Sequence, residues 1–251
     1  MKTAEFLNHA RFTLWPPPIG FRTLLRPFRE RWRFWRQYKT YCKLTPASDT
    51  PEEQYFFPCM SDATDLTPIE AGYYFQDAWA FEKIVKSGVH HHIDVGSHHK
   101  LVSLLSKIIP TTMVDIRPLP VHMDSLKFQQ GSILSLPYAD QSVDSLSSLC
   151  VVEHIGLGRY GDPFDANGTI KALEELKRIV KPGGSLYISV PVDDENRIYF
   201  NAHRAFCEPY LERLFSPFEI VERRYIFGND FTDKLGLGFG TGCYHLRRPT
   251  L

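Results

Sequence analysis

The sequence has few cysteines and no two of them in a C-x-x-C arrangement. Its five cysteines are odd in number and widely spaced: Cys42, Cys59, Cys150, Cys207 and Cys243. This pattern argues against a disulfide framework and against a structural zinc site, and it is typical of proteins kept in a reducing compartment. We therefore expect a cytoplasmic protein.

Long apolar runs and an excess of one charge are also missing. No apolar run approaches the roughly 20 residues of a membrane-spanning helix, and the first 18 residues lack the apolar centre of a signal peptide. Lys+Arg and Asp+Glu both number 29, so the net charge indicates no particular partner. With 251 residues, the chain is long enough for one domain with a real core and an extension.

Residues 1–50 differ from the rest and predict a basic, aromatic arm that precedes a domain over 51–251. Residues 1–43 hold ten Lys and Arg against two Glu. At 100° per residue, the segment 21–41 forms an amphipathic helix, and we expect the helix to begin at Pro27, because proline interrupts a longer one. Its apolar face would comprise Phe21, Leu24, Leu25, Phe28, Trp32 and Trp35, and a neighbouring basic face Arg22, Arg26, Arg29, Arg33 and Arg36.

Two interpretations of this arm remain open. Basic side chains beside Trp, Phe and Leu are typical of a helix that lies in a membrane interface, which would place the protein on the inner face of the membrane. Alternatively, the arm packs on the domain itself or on a second copy of the chain in a homodimer. The domain outside the arm is acidic and its loops carry no basic stripe, so we expect no nucleic-acid partner.

From residue 73 onward, predicted helices and strands alternate. A helix over 73–87 is followed by strands in "HHIDV", "TTMVDI", "LKFQQ" and "SVDSLSSLCVV", with helices in "HKLVSLLSKII" and "GTIKALEELKRIV" between or after them. "KPGG" reads as a tight turn before the strand "SLYISVP", and "FEIVERRYIF" and "TGCYHLRR" read as final strands. Such alternation predicts a doubly wound, mostly parallel α/β sheet with helices on both faces.

The ends of the first two strands carry the residues of a nucleotide pocket. Asp94 and Gly96 end the first strand, and Gly96 lets the backbone approach a ligand closely. Asp115 ends the second strand, 21 residues later, which is about the spacing at which an acidic side chain meets ribose hydroxyls in nucleotide-binding βαβ units. Ser132 and Ile133 follow a third strand, where an adenine could lie.

Four motifs extend this pattern: "IDVGS", "VDIRP", "GSILSLPYADQSVDSLSSLCVVEHI" and "ALEELKRIVKPGGSLYISVPV". In this order they resemble the motifs of class I S-adenosylmethionine-dependent methyltransferases, which have a Rossmann-like fold. The resemblance implies that Asp94, Gly96 and Ser97 hold the amino-acid end of the cofactor, that Asp115 binds the ribose, and that Leu149 and Cys150 form the floor. Ile116, Ser132 and Ile133 would surround the adenine.

The candidate catalytic and substrate-binding residues follow the fourth and fifth strands. An alcohol acceptor must lose a proton, so a base helps its methylation. His154, with Glu153, is the first candidate for this base or for positioning the acceptor; alternatively it fastens the neighbouring loop. His203 could close the pocket, and Arg204 could clamp a phosphate or carboxylate, unless it forms a structural ion pair. On the loop "GLGRYGD" the candidates for contact with substrate are Arg159, Tyr160 and Asp162.

Two literal patterns in the chain carry little weight. "GLGRYG" matches the dinucleotide motif G-x-G-x-x-G, but it follows the fourth strand and precedes no helix, so we interpret it as a loop over the site. His90, His91, His92, His98 and His99 suggest a metal centre. In a strand, however, His91 faces away from its two neighbours, and no Cys or paired carboxylate completes a ligand set, so we expect no metal.

A narrower resemblance suggests the acceptor. "EHIGLGRYGDPFD" and "FNAHRAF" are similar to an uncharacterised methyltransferase-like family that often accompanies bacterial surface-polysaccharide biosynthesis genes. The resemblance implies O-methylation of a sugar hydroxyl in a glycan, glycolipid or nucleotide sugar, with S-adenosylmethionine as methyl donor; a lipid-linked acceptor would give the arm a purpose. Two alternatives remain: a small-molecule methyltransferase, and an inactive binding protein of the same fold, which the single glycine of "IDVGS" would suit.

Overall fold

The structure, a computed structural model, describes residues 21–250, with side chains from residue 27 onward. The chain divides into two compact units, Met1–Pro68 and Ile69–Leu251. The predicted apolar and basic positions at Phe21, Arg22, Leu24, Leu25 and Arg26 lie outside the described side chains.

In the first unit, helix α1 spans Phe21–Cys42 and contains Pro27 in its interior. The prediction that the helix begins at Pro27 is therefore wrong. A proline inside a helix removes one backbone hydrogen bond and costs about 3 kcal/mol. In a helix of 22 residues, one missing bond leaves the flanking turns free to continue.

Aromatic packing extends the first unit beyond the predicted arm. Single 3-10 turns at Ala47–Asp49 and Glu53–Tyr55 follow α1, and the ring of Phe56 then packs edge-on against the helix, 4.8 Å from Tyr38 and 5.3 Å from Phe34 between centroids. The unit ends at Pro68, whereas the sequence predicted a boundary at residue 50.

The second unit alternates helices and strands over most of its length. Its helices are α2 Ala71–Lys86, α3 His99–Leu105, α4 Gly168–Ile179 and α5 Glu208–Phe215. Its strands are β1 His92–Val95, β2 Thr111–Asp115, β3 Leu126–Gln130, β4 Val143–Leu149, β5 Val180–Val192, β6 Arg197–Tyr199, β7 His203–Ala205, β8 Glu219–Phe227, β9 Asp230–Thr232 and β10 Gly240–Arg247.

Eight of these strands form one sheet in the order β3-β2-β1-β4-β5-β10-β8-β9. Pairing is parallel from β3 to β5 and antiparallel from β5 onward. The chain leaves β1 towards β2 and β3 on one side and returns to β4 on the other, so the strand order reverses between β1 and β4. In open α/β sheets, ligands bind at the carboxyl ends of the strands beside such a reversal.

Each face of the sheet carries its own apolar core, which confirms the predicted doubly wound α/β fold. On one face, Trp79 and Ile84 of α2 and Leu101 and Leu105 of α3 pack together. On the other face, α4 and α5 supply buried residues such as Leu173, Leu176, Leu211 and Phe215. Because helices cover both faces, the central strands β1 and β4 are buried along almost their whole length, and this burial includes their polar residues.

The "KPGG" segment belongs to β5, and the prediction of a separate turn is wrong. Val143 pairs with Val180 and Ser145 with Ser185, so the four residues 181–184 bulge out of the ladder. Gly183 has a φ of +75° there, and its N–H donates to the Arg248 carbonyl at 2.9 Å. The glycine conformation expected of a turn is present, but the strand continues through it.

A buried hydrogen-bond chain, which we call the His92 chain, joins β1 to β4 where the strand order reverses. The imidazole of His92 lies between Ser145 Oγ and Ser147 Oγ, at 2.8 Å from each, and Ser147 Oγ donates to the Asp94 carboxylate. Since the Ser147 proton faces Asp94, His92 donates from Nε2 to Ser147 and accepts at Nδ1 from Ser145. Burial lowers the pKa of His92 to about 3, so the ring is neutral, as this arrangement requires.

Replacing His92 by Ala should therefore destabilise the second unit by about 3 kcal/mol, since it leaves a cavity and an unpaired buried Ser145 hydroxyl. The exposed His90 provides the control, and His90→Ala should change the free energy of unfolding by less than about 0.5 kcal/mol. Chemical denaturation of both variants measures the difference. Equal stability of the two variants would contradict a structural role for the buried ring.

Candidate functional site

A cavity of about 560 Å³ opens at the carboxyl ends of the central strands. Its walls come from the segments after β1, β2, β4 and β5, from α2 and from the start of β10. The residues that line it include Tyr73, Gln76, Gly96, Ser97, His98, Asp115, Leu149, Cys150, Glu153, His154, Arg159, Tyr160, Pro191, His203 and Thr241. It lies beside the strand reversal, where the topology predicts a ligand.

The turn after β1 approaches the cavity through its backbone. Gly96 has a φ of +73°, and a Cβ there would lie 3.0 Å from Val151 Cγ1, so a side chain would be strained and crowded. Ser97 accepts a hydrogen bond from Leu149 N at 2.9 Å, which fastens the turn to the end of β4. Gly96 and Ser97 both line the cavity, as the sequence predicts.

Asp94 acts on this turn from beneath and does not line the cavity. It is fully buried, and its carboxylate accepts hydrogen bonds from Ser97 N at 3.0 Å and from Ser147 Oγ. Burial raises its pKa to about 6, against the opposing effect of these hydrogen bonds. The predicted direct contact with the cofactor is thus replaced by support of the Gly96–Ser97 turn.

A smaller cavity of about 80 Å³ adjoins the first and shares Gly96, Asp115 and Cys150 with it. Its other walls include the apolar side chains of Ile116 and Ile133. The structure therefore brings together a carboxylate and an apolar slot, the combination that a ribose and an adenine require.

Ser132 stands apart from both cavities. Its hydroxyl oxygen accepts a hydrogen bond from Leu134 N at 3.2 Å, within its own turn, and its backbone forms an isolated bridge with Ser135. The prediction that Ser132 flanks the adenine finds no support in its position, because the side chain is used to close the turn.

The floor of the larger cavity contains a polar group that the sequence analysis missed. Gln76 is almost fully buried, and its Oε1 accepts hydrogen bonds from Ser189 Oγ at 2.8 Å and from Cys150 Sγ at 3.2 Å. A signal was present in the sequence: Gln76 occupies the same buried stripe of α2 as Trp79, Ala80 and Ile84. A polar residue at a core position of a helix usually has a designated partner.

His154 presents one ring nitrogen to the cavity. It closes a single 3-10 turn, Val152–His154, directly after β4. Its Nδ1 lies 2.6 Å from the Ala202 carbonyl, so Nδ1 carries the proton and Nε2 keeps a free lone pair. Burial, and then the charges of Arg159 and His203, lower the pKa of His154 to about 4. The ring is therefore neutral at physiological pH and able to accept a proton, but it is a weaker base than the near-neutral one expected.

The neighbouring residues Glu153 and His203 also line the cavity. Burial raises the pKa of the Glu153 carboxyl to about 8, so this group is mostly protonated at pH 7. His203 lies across from His154, with 6.5 Å between the ring centroids, and burial lowers its pKa. All three predicted catalytic candidates are thus brought to one side of the site.

The loop after the 3-10 turn reaches over this region. Two guanidinium groups contact the ring of Tyr160: that of Arg117 lies 4.7 Å and that of Arg159 5.1 Å from its centroid. Arg159 and Tyr160 both line the cavity. Asp162 instead accepts hydrogen bonds from Gly156 N at 2.6 Å and Tyr160 N at 3.3 Å. Its predicted substrate contact is replaced by shaping of the loop.

Arg204 does not reach the cavity, and its predicted role as a clamp for substrate is wrong. The side chain is buried, and its guanidinium donates to the carbonyls of Ile155 at 2.6 Å and Asp165 at 3.2 Å and to Thr169 Oγ1 at 3.2 Å. These acceptors lie at both ends of the loop 155–165 and at the start of α4. Arg204 therefore closes the loop at its base.

The histidine cluster around β1 is dispersed in the structure. His90 and His91 are exposed, His92 is buried in its serine chain, and His98 and His99 line the cavity. Within residues 27–250, no three His, Cys, Asp or Glu side chains converge as a metal site.

No helix in the described part of the chain combines the length and apolarity needed to cross a membrane.

Comparison with known proteins identifies the fold. A structure of the Burkholderia thailandensis 1,6-didemethyltoxoflavin-N1-methyltransferase, with 1,6-didemethyltoxoflavin and S-adenosylhomocysteine bound, has a TM-score of 0.54 at 17% identity over 72% of this chain and 79% of that chain. The N-methyltransferase NodS of Bradyrhizobium japonicum also has a TM-score of 0.54, at 15% identity over 72% of this chain and 98% of that chain. The chain has the class I methyltransferase fold.

Two sequence matches cover parts of this fold. A family described as Caenorhabditis protein of unknown function, DUF268, matches residues 117–234, the part that contains Glu153, His154 and His203. A curated protein of Mycolicibacterium smegmatis, a probable S-adenosylmethionine-dependent methyltransferase, is 29% identical over 119 residues, 47% of this chain. The match spans 40% of the length of that relative.

Variants of Arg204 and Arg159 test which of the two side chains supports the loop and which one only contacts the cavity. Arg204→Met should lower the free energy of unfolding by about 3 kcal/mol, because the buried Thr169 hydroxyl and two partly buried carbonyls lose their donor. Arg159→Met, at an exposed position, should lower it by less than about 0.5 kcal/mol. Urea denaturation distinguishes the two, and a stable Arg204→Met protein would show that the guanidinium does not hold the loop.

Proposed function

We propose that the protein is an S-adenosylmethionine-dependent methyltransferase. The observation that carries this proposal is that Gly96 and Asp115, from the ends of two adjacent parallel strands, line one cavity at the reversal of strand order. The methyltransferase fold and the partial match to the mycobacterial relative support the same activity.

The residues of the site fit this cofactor. Asp115 offers a carboxylate for ribose hydroxyls beside a slot lined by Ile116 and Ile133 for a purine, and Gly96 leaves a cradle that a Cβ would crowd. A buried carboxyl oxygen of Glu153 has no hydrogen-bond partner among the described residues. When bound, S-adenosylmethionine supplies a methyl group on a positively charged sulfur, which an acceptor oxygen can displace.

The chain's own residues would position the acceptor and receive its proton. Methyl transfer depends mainly on proximity and alignment. Tyr160 and His203 both line the cavity, with ring centroids 5.5 Å and 6.5 Å from that of His154, and would align the acceptor there. The free Nε2 of His154 would accept the hydroxyl proton, and its Nδ1 remains anchored to the Ala202 carbonyl.

We propose a sugar hydroxyl as the acceptor group. The cavity that His154 lines also contains several polar side chains: Glu70, His98, His99, Arg117, Arg159 and Tyr160. Such donors and acceptors suit a polyol better than an apolar ring, which favours a glycan, glycolipid or nucleotide sugar over a quinone-like small molecule. This acceptor remains a proposal, as does its link to surface-polysaccharide biosynthesis.

Asp115→Ala tests the binding of the cofactor. Loss of a charge-assisted hydrogen bond to the ribose should weaken S-adenosylhomocysteine binding by roughly 10- to 100-fold, measured by titration calorimetry. The control Asp124→Ala removes a fully exposed carboxylate outside the larger cavity and should leave the affinity unchanged. If the two variants bind alike, or if the natural protein binds nothing at millimolar ligand, the proposed cofactor site is wrong.

His154→Gln tests catalysis separately from binding. Loss of a proton acceptor should lower kcat by about 100-fold or more, with little change in cofactor affinity, and the exposed His122→Gln serves as control. Formation of S-adenosylhomocysteine with nucleotide sugars and polyprenyl-linked sugars as acceptors measures the rate. Since the pKa of His154 is about 4, its protonation should not slow the reaction between pH 8 and pH 6. Cofactor binding without turnover on any acceptor would favour the inactive binding protein.

We further propose that α1 holds the protein on an anionic membrane surface. Phe28 and Trp32 are 72% and 63% exposed on one face of the helix, and the guanidinium of Arg36 lies 4.9 Å from the Trp32 ring centroid. Arg29, Arg31 and Lys39 are exposed as well. Exposed aromatic rings beside several cations match the chemistry of an anionic lipid interface, and a lipid-linked acceptor would be reached from there.

The full-length Phe28→Ser/Trp32→Ser double variant should lose most of its sedimentation with vesicles of phosphatidylglycerol and phosphatidylcholine. Phe57→Ser/Leu66→Ser, which removes two apolar side chains outside the helix that are even more exposed, should sediment like the natural protein. Pure phosphatidylcholine vesicles should bind less in every case, because the electrostatic attraction is missing. Equal sedimentation of both variants would contradict a membrane role for α1 and favour a protein partner.

A further inference from the structure

Glu153 is a buried carboxyl group, and one of its two oxygens lacks a hydrogen-bond partner among the described residues. Its side chain is about 1% exposed, it lines the larger cavity, and its Oε2 has no hydrogen-bond partner within the described residues. A buried ionised carboxylate without a paired cation is costly. A buried carboxyl group of this kind either stays protonated or pairs with a positively charged group of a bound ligand.

The groups around Glu153 do not supply a paired cation. Cys150 lies beside it, and burial keeps the pKa of that thiol high; Tyr73 faces it from α2 as a neutral phenol, its pKa also raised by burial. His154 is neutral at physiological pH, with its Nε2 3.7 Å from Glu153 Oε1. Arg159 acts only from a distance and lowers the pKa of Glu153 less than burial raises it.

The elements packed against the 3-10 turn leave the same picture. From β7, Arg204 is occupied by the backbone carbonyls of the loop, and burial lowers the pKa of His203. From α4, Thr169 donates to the Val152 carbonyl and Lys171 pairs with Asp165. From β5, Ser189 donates to Gln76. None of these neighbouring groups supplies a free cation to Glu153, which lines the cavity.

We propose that Glu153 is the counter-charge for the sulfonium of the methyl donor: it is protonated in the ligand-free protein and releases its proton when the cation binds. This inference rests on the proposed function. S-adenosylmethionine carries a fixed positive charge on sulfur, whereas S-adenosylhomocysteine is a neutral thioether at that atom. Glu153 would therefore distinguish the donor from its product by charge.

Over one reaction cycle, Glu153 would lose one proton and regain one. Binding of the donor releases one proton from Glu153 to solvent. Methyl transfer forms a carbon–oxygen bond, breaks the sulfur–methyl bond and frees the hydroxyl proton, which His154 accepts and passes to the Glu153 carboxylate nearby. The net reaction releases one proton, as methylation of an alcohol by a sulfonium requires. With Glu153 neutral again, the product loses its electrostatic partner and is released more readily.

Titration calorimetry in buffers of different ionisation enthalpy counts the protons. At pH 7, the natural protein should release about one proton for each S-adenosylmethionine bound and about none for S-adenosylhomocysteine. At pH 9, above the pKa of about 8, the release should nearly vanish. Glu153→Gln keeps the shape of the side chain and should abolish the proton release. It should also lower the preference for donor over product, by roughly tenfold for each unit by which the donor lowers the pKa of Glu153 in the natural protein.

The outcomes separate this inference from the proposed function. If both ligands bind the natural protein with equal proton counts, or if Glu153→Gln releases as many protons as the natural protein, the counter-charge role is wrong while the cofactor site stands. If neither ligand binds, the proposed function itself fails. Should Glu153→Gln not fold, infrared difference spectroscopy of the natural protein replaces it: the band of a protonated carboxyl should disappear with the donor and persist with the product, and an unchanged band would overturn the proposal.

Discussion

The His92 chain of hydrogen bonds, which runs from Ser145 through His92 and Ser147 to Asp94, is the constraint on which the site depends. It joins β1 to β4 where the strand order reverses, and its last acceptor, Asp94, holds Ser97 N. Because Ser97 N donates to Asp94, which Ser147 of β4 also contacts, these hydrogen bonds fasten the Gly96–Ser97 turn to the strands beneath it. The same hydrogen bonds hold the part of the cavity wall that this turn forms, as a preorganised ligand site requires.

Burial is the second determinant, since it shifts the pKa values of two neighbouring residues in opposite directions. The pKa of Glu153 rises to about 8, and that of His154 falls to about 4. At neutral pH both groups are mostly uncharged, so the ligand-free cavity carries a proton on the carboxyl and a vacant lone pair on the imidazole. A cation that enters this site inverts the balance for Glu153, which links the identity of the ligand to proton release.

The sequence predicted those features that depend on local pattern. Alternating apolar segments predicted the doubly wound sheet, and the positions of Gly96 and Asp115 at strand ends predicted that they line one cavity. Features set by tertiary contacts could not be predicted from the sequence. Arg204 was expected to clamp a substrate anion or to form an ion pair, but it donates to backbone carbonyls of the loop. Gln76 is one position of a helix in the sequence, and only the fold places it in the floor of the cavity. Asp94 has the predicted neighbours but supports the turn from below, a distinction that only the side-chain directions reveal.

The most direct test of the central claim is a crystal structure of the protein grown with S-adenosylhomocysteine. We expect the ribose hydroxyls against the Asp115 carboxylate, the adenine between Ile116 and Ile133, and the thioether sulfur on the side of Glu153 and His154. A ligand bound elsewhere on the chain, or the same cavity without the ligand at millimolar concentration, would contradict it.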